Sequence, residues 1–161
     1  QVMSMSNREV ALDIESDNLL DNVTKVWCLS YRFVDTPDEV FTLTDYEGIR
    51  KFFKEAEEKD YILICHNVIM YDLRVLKKIL GITWCGKKID TLLVSWYINH
   101  GRAKHGLEFY GEEFGVPKPV IKDWSTQKLE DYVYRCEQDT MIQVKTWLQL
   151  KGKLQELYND I

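Results

Sequence analysis

The chain reads as an α/β protein, a mixed five-stranded sheet flanked by helices. Three observations predict it. Stretches of strand length and composition crowd the N-terminal third, two of them joined as a hairpin. Farther on, short apolar runs alternate with segments whose apolar residues recur at helical spacing. Finally, 161 residues at 45% hydrophobic content supply one sizeable core rather than two. Strands that come first as a hairpin and then alternate with helices make a mixed sheet with helices on its faces.

Residues 1–7 (QVMSMSN) carry no pattern and read as a linker or an unstructured appended segment, with the domain proper at 8–161. REVALDIES reads as a strand over 9–15 that ends in acids. TKVWCLSYRF, a PDE turn and VFTLT form the hairpin. Asp45 opens a helix whose Ile49, Phe52, Phe53 and Ala56 share one face and should pack on the sheet. DYILIC is the continuous apolar run of a strand buried on both faces, and Asn67 is placed to cap the helix VIMYDLRVLKKIL. KKID is a short strand, with Asp90 and Thr91 capping the helix TLLVSWYINH. HGLEFYGEEFG and the stretch from TQKLEDY onward are helical.

The net charge of −5 argues against a high-affinity sequence reader, because neutralisation of phosphates by Lys and Arg dominates such binding. It does not exclude a protein that grips a few terminal nucleotides and whose acids are neutralised by divalent metals. No apolar run approaches the roughly 20 residues of a membrane span, and no secretory pattern precedes the domain, so a soluble, cytoplasmic monomer is expected. Cys28, Cys65, Cys85 and Cys136 contain no CxxC pair and read as buried small hydrophobes.

The acids carry the chemistry. Asp13 and Glu15 sit two apart at the end of a strand, so both carboxylates project from one face and can converge on a metal. Strand ends often carry solvated acids; this pair directly follows the apolar VALDI run of a central strand, where unpaired charge is costly. Asp72 follows the next buried strand within Asn67–Asp72, and Asp139 lies on the last helix. Each alone reads as a surface acid. Together, four carboxylates brought from different elements to one sheet edge suit a pair of hard cations, Mg²⁺ or Mn²⁺.

DIESDNLL, HNVIMYDLRVL and YRCEQD, in that order, resemble the three exonuclease motifs of the DEDD superfamily. In particular they resemble the proofreading domain of family A DNA polymerases of short-tailed phages. VTKVWCLSY, IDTLLVSW and HGLEFYGEEFG fit between the motifs, and the resemblance spans about residues 8–150. It implies an RNase H-like fold whose first three strands are antiparallel, and a two-metal 3′→5′ exonuclease acting on single-stranded or frayed DNA 3′ ends. A polymerase domain in cis or in trans is the implied partner, and the host cytoplasm the location. Asp13, Glu15, Asp72 and Asp139 match the metal-binding acids, with Asp13 bridging both ions and Glu15 also near the terminal 3′-hydroxyl. Leu19 matches an apolar wedge between the last bases, and Asn67 and Tyr71 match supporting positions. Two ions about 4 Å apart would generate the attacking hydroxide and stabilise the departing 3′ oxygen, releasing nucleoside 5′-monophosphates.

Motif three departs from the family pattern. The tyrosine that orients the attacking water normally lies four residues before the metal-binding Asp; here that position holds Arg135, and Tyr134 lies five before Asp139. On a regular helix the fourth residue back lies about 40° from the Asp and the fifth about 140°. We expect a local distortion that turns Tyr134 into the site and Arg135 outward or toward a phosphate. Lys122 is the basic residue expected to reach a phosphate. His66 and His105 read as structural groups, and the five tryptophans as mostly core. An RNA exonuclease like RNase D or RNase T would use the same acids, and a non-catalytic nucleic-acid-binding module would leave them unexplained.

Overall fold

The computed structural model describes residues 7–67 and 71–159; residues 1–6 of the expected linker 1–7, residues 68–70 of the helix expected after Asn67, and 160–161 lie outside these. Strands β1 (Glu9–Ser16), β2 (Val26–Phe33), β3 (Phe41–Leu43), β4 (Ile62–Cys65) and β5 (Lys88–Asp90) form one sheet in the order β3-β2-β1-β4-β5. The β1–β2 and β2–β3 pairs are antiparallel, and β1–β4 and β4–β5 are parallel. The mixed sheet read from the pattern forms, with the antiparallel first three strands that the resemblance implies.

Among the described residues five α-helices cover it: α1 (Tyr46–Glu58), α2 (Leu73–Leu80), α3 (Thr91–Ile98), α4 (Leu107–Phe114) and the long α5 (Leu129–Asn159). Asp45 caps α1, its carboxylate accepting from Gly48 N at 2.9 Å. Asp90 does the same for α3 through Leu92 N at 3.0 Å. Gly81 ends α2 in the left-handed conformation at φ 70°, where a side chain would be strained.

The central strand sorts its side chains by parity. Val10, Leu12 and Ile14 join α1 and α2 in the larger core with Phe52, Phe53, Leu63 and Leu76. Ala11 faces the other way, against Val144, Trp147 and Leu150 of α5. Asp13 and Glu15 share Ala11's parity, so the strand delivers both acids to the layer that α5 covers. Cys28 of β2, opposite Glu15, packs with Tyr132 and Cys136 of the same helix. Cys28, Cys65 and Cys136 are buried as expected; Cys85, in the irregular stretch between α2 and β5, is exposed, which corrects the reading of all four as buried.

Candidate active site

The acids meet where the C-terminal end of β1 runs under α5. One carboxylate oxygen each from Asp13, Glu15 and Asp139 lies within 4.8 Å of the others. Asp72, just before α2 and 4% exposed, lines the same cavity of about 790 Å³. Three elements thus bring the expected four acids to one place. Asp13 Oδ2, Asp72 Oδ2 and Asp139 Oδ1 are each enclosed without a hydrogen-bond partner. A buried carboxylate oxygen left unpaired costs on the order of 1–3 kcal/mol, so three in one cavity form a donor set that suits a hard divalent cation.

Charge in the cavity is out of balance. Burial, then the neighbouring Asp139, Asp72 and Glu15, push the Asp13 carboxyl well above its ordinary range. Burial, then Asp139 and Glu15, do the same to Asp72. Glu15 is pushed up to about 7 by burial and Asp139, against the pull of Arg135 and Lys118. Asp139 is also raised by burial, but Lys118 and Arg135 oppose the shift. Lys118 Nζ lies 3.3 Å from Asp139 Oδ2, and Arg135 Nε lies 3.4 Å from Glu15 Oε1. These are the two Lys or Arg side chains among the described residues that line the cavity. Burial works against the Lys118 charge, yet Asp139 and Asp13 outweigh it and hold its pKa above the usual value.

The expected orientation of motif three is reversed. Arg135 lines the cavity and Tyr134 does not; Tyr134 is 54% exposed. The physical reason is the helix: α5 runs from Leu129 to Asn159, so the fourth residue before Asp139 shares its face and the fifth does not. No distortion rescues the tyrosine. Lys122 is likewise exposed and off the cavity, and the cation that reaches an acid is Lys118, four residues earlier in the loop before α5.

Leu19 lines the cavity with 75% of its surface exposed, as a wedge would need. Tyr71 holds the turn that carries it: its hydroxyl pairs with Ser16 Oγ at 2.5 Å and donates to Asn18 O at 3.0 Å. Asn67 adopts a left-handed φ of 66° and donates its backbone N–H to Asp90 Oδ1 at 2.9 Å; residues 68–70, the first of the helix it was expected to cap, lie outside the described residues. His66 pairs with Thr91 Oγ1 and donates from Nε2 to His105 O, and His105 pairs with Ser95 Oγ, so both histidines are satisfied structural groups.

Lys118, Trp124 and Gln143 are cavity residues that sequence reasoning missed. Trp124, half exposed, departs from the expectation that the tryptophans are mostly core. Gln143, one turn beyond Asp139, is fully buried with both amide atoms unpaired. Its i+4 relation to Asp139 was the one signal available.

No protein-family model matches the chain, and no curated protein matches it in sequence. Solved structures do match in fold. NrnC from Brucella melitensis with bound Mg²⁺ has a TM-score of 0.70 at 18% identity, covering 93% of this chain and 75% of that one. The catalytic core of RRP6 from Trypanosoma brucei, in a C496S mutant, has a TM-score of 0.67 at 18% identity, over 95% of this chain and 43% of that one. Phi29 DNA polymerase complexed with primer-template DNA and incoming nucleotides has a TM-score of 0.59 at 13% identity, over 92% of this chain and 32% of that one. The fold is the RNase H-like α/β fold that these structures share.

Proposed function

We propose that this chain is a metal-dependent 3′→5′ exonuclease domain that shortens DNA from single-stranded or frayed 3′ ends. The observation that carries the reading is the convergence of three enclosed, unpaired carboxylate oxygens from β1, the start of α2 and α5 in one open cavity. Asp13, Glu15 and Asp139 would hold one divalent ion and Asp13 with Asp72 a second. Bound Mg²⁺ or Mn²⁺ would make a water easier to deprotonate near neutral pH and offset charge on the departing 3′ oxygen. Support for that metal class comes from NrnC, whose structure holds Mg²⁺.

The remaining groups grip the strand end. Leu19 offers an exposed apolar edge to the last bases, braced by Tyr71 through Ser16 and Asn18. Trp124 offers a half-exposed aromatic face on the same cavity, the kind of surface on which a base stacks. With a net charge of −5 and so little positive charge to spend on opening a duplex, the domain takes ends that are already unpaired. The resemblance to phage proofreading domains, and the fold shared with Phi29 DNA polymerase, support proofreading beside a polymerase domain in cis or in trans, with the domain itself a monomer in the host cytoplasm.

The same acids would serve RNA, and the fold is nearer to NrnC bound to pGG, TM-score 0.70, than to the DNA-bound polymerase at 0.59. The test therefore carries both sugars. 5′-Labelled single-stranded DNA and RNA of one sequence are incubated with Mg²⁺, Mn²⁺ or a chelator, and product lengths are followed with time. We expect a ladder shortening from the 3′ end, nucleoside 5′-monophosphates as products, faster loss of DNA than RNA, and no reaction with the chelator. Faster loss of RNA would move the substrate to RNA, and no shortening of either would overturn the reading.

A further inference from the structure

The place where motif three departs from its family is also where the cavity holds a fixed donor. Arg135 shares the face of Asp139 on α5 and lines the cavity. Three groups already set its guanidinium in place. Nη1 donates to Pro119 O at 2.7 Å, Nε lies 3.4 Å from Glu15 Oε1, and the Trp124 ring lies 5.4 Å from Cζ. The approach of Nε to Glu15 has the distance of an ion pair without the angle of a hydrogen bond, so Nε is buried with no acceptor.

A guanidinium stays protonated at any working pH and carries five N–H donors with no acceptor. It cannot take a proton from an attacking water. Its planar fork suits two oxygens of a phosphate. Lys118, the other cation of the cavity, is held by Asp139 at 3.3 Å and has no such fork. Neutralisation of Glu15 by a bound cation would weaken its hold on Arg135 and leave a phosphate as the strongest acceptor within reach.

We propose, resting on the exonuclease reading above, that Arg135 holds the phosphate of the 3′-terminal nucleotide by donated hydrogen bonds. It stands where the family pattern has a tyrosine that orients the water. The ligand class is a nucleoside 5′-phosphate, whether product or strand terminus. The protein supplies no proton acceptor at this position, and water is activated without one.

A competing role is mechanical, since Arg135 also anchors Pro119 while Gln138 Nε2 reaches Pro117 O at 3.4 Å. The test separates the two. Deoxythymidine 5′-monophosphate and deoxythymidine are titrated calorimetrically, with Mg²⁺ present, into the parent, Arg135→Ala, Arg135→Met, Arg135→Lys and Gln138→Ala, with thermal melts to verify folding. Loss of a charge-assisted phosphate contact should weaken monophosphate binding about 10- to 100-fold in the Ala and Met variants, leaving the nucleoside within about twofold. Lys should restore part of the loss, with a pH–rate profile on single-stranded DNA parallel to the parent's, and Gln138→Ala should leave the ratio of the two affinities unchanged. Equal loss of both ligands, or parental monophosphate binding without Arg135, would overturn the proposal while the parent still shortens DNA. A parent that neither binds the monophosphate nor shortens DNA would overturn the exonuclease reading itself, and this proposal with it.

Discussion

The two halves of the acid cluster are built differently. Asp139 and Glu15 each have a cation at hand, Lys118 and Arg135, which lowers the cost of keeping them charged. Asp72 and Asp13 have no ion pair within 4.0 Å among the described residues; each encloses one oxygen without a partner, and both are pushed well above the ordinary carboxyl range. The paired half is better compensated, although Asp139 Oδ1 is also enclosed without a partner and burial still pushes Glu15 up to about 7. The unpaired half is destabilising until something cationic arrives, which is the signature of a site kept for binding rather than for folding.

The comparison can be broken at its strongest point first. Asp13→Ala or Asp139→Ala should lower the exonuclease rate by about 10³-fold or more with the domain still folded, read by single-turnover kinetics and circular dichroism. A variant turning over at the parental rate would remove that acid from the site. Next, the two halves should respond oppositely to neutralisation in the absence of metal at pH 8. Lys118→Met should lower stability by about 1–3 kcal/mol, because it strands the buried Asp139 charge. Asp72→Asn should raise it by about 1 kcal/mol, because it removes a charge with no partner, while Mg²⁺ stabilises it less than the parent. Denaturant melts with and without Mg²⁺ decide both, and equal signs would erase the distinction.

The pH dependence sharpens the same point. The folded protein holds Glu15 near 7 against an ordinary 4.5, so the native state binds the extra proton between those values. Stability of the metal-free protein should therefore be greatest below about 4.5 in this contribution and fall as pH rises through 7, with Asp13 and Asp72 acting in the same sense. The stabilisation gained on adding Mg²⁺ should grow over the same interval, since the ion competes with those protons. A pH-independent Mg²⁺ increment would contradict the assigned ligands. The smallest effects lie at the cavity's edge. Leu19→Ala should slow paired ends by about threefold more than frayed ones, a margin of well under 1 kcal/mol. Tyr134→Phe should leave the rate within about twofold, since its ring points away from the cavity.

The sheet and the four acids were legible because local pattern decides them. Alternation in EVALDIES assigns the faces of β1, and the parity that buries Leu12 with α1 also turns Asp13 toward α5. Arg135 was legible too, from the helical angle alone; weight given to residue type over geometry pointed to Tyr134 instead. Lys118 was not legible. It sits in an irregular segment whose path depends on Arg135 and Gln138 holding the carbonyls of Pro119 and Pro117. No periodicity announces which lysine of that loop turns inward. Trp124 was hidden for a related reason, since its exposure follows from the short 3₁₀ turn at Trp124–Thr126 rather than from composition.

Direct counting of bound metal tests the central claim that the unpaired acids form a cation site. Mn²⁺ binding at pH 8 is measured by electron paramagnetic resonance, from the free-ion signal, on the parent, Asp72→Asn and Asp13→Asn. With Asp13 shared between two ions and Asp72 serving one, the parent should bind two ions, Asp72→Asn one, and Asp13→Asn none at the same concentrations. A parent that leaves all the Mn²⁺ free, or an Asp13→Asn variant that binds as the parent does, would contradict the account.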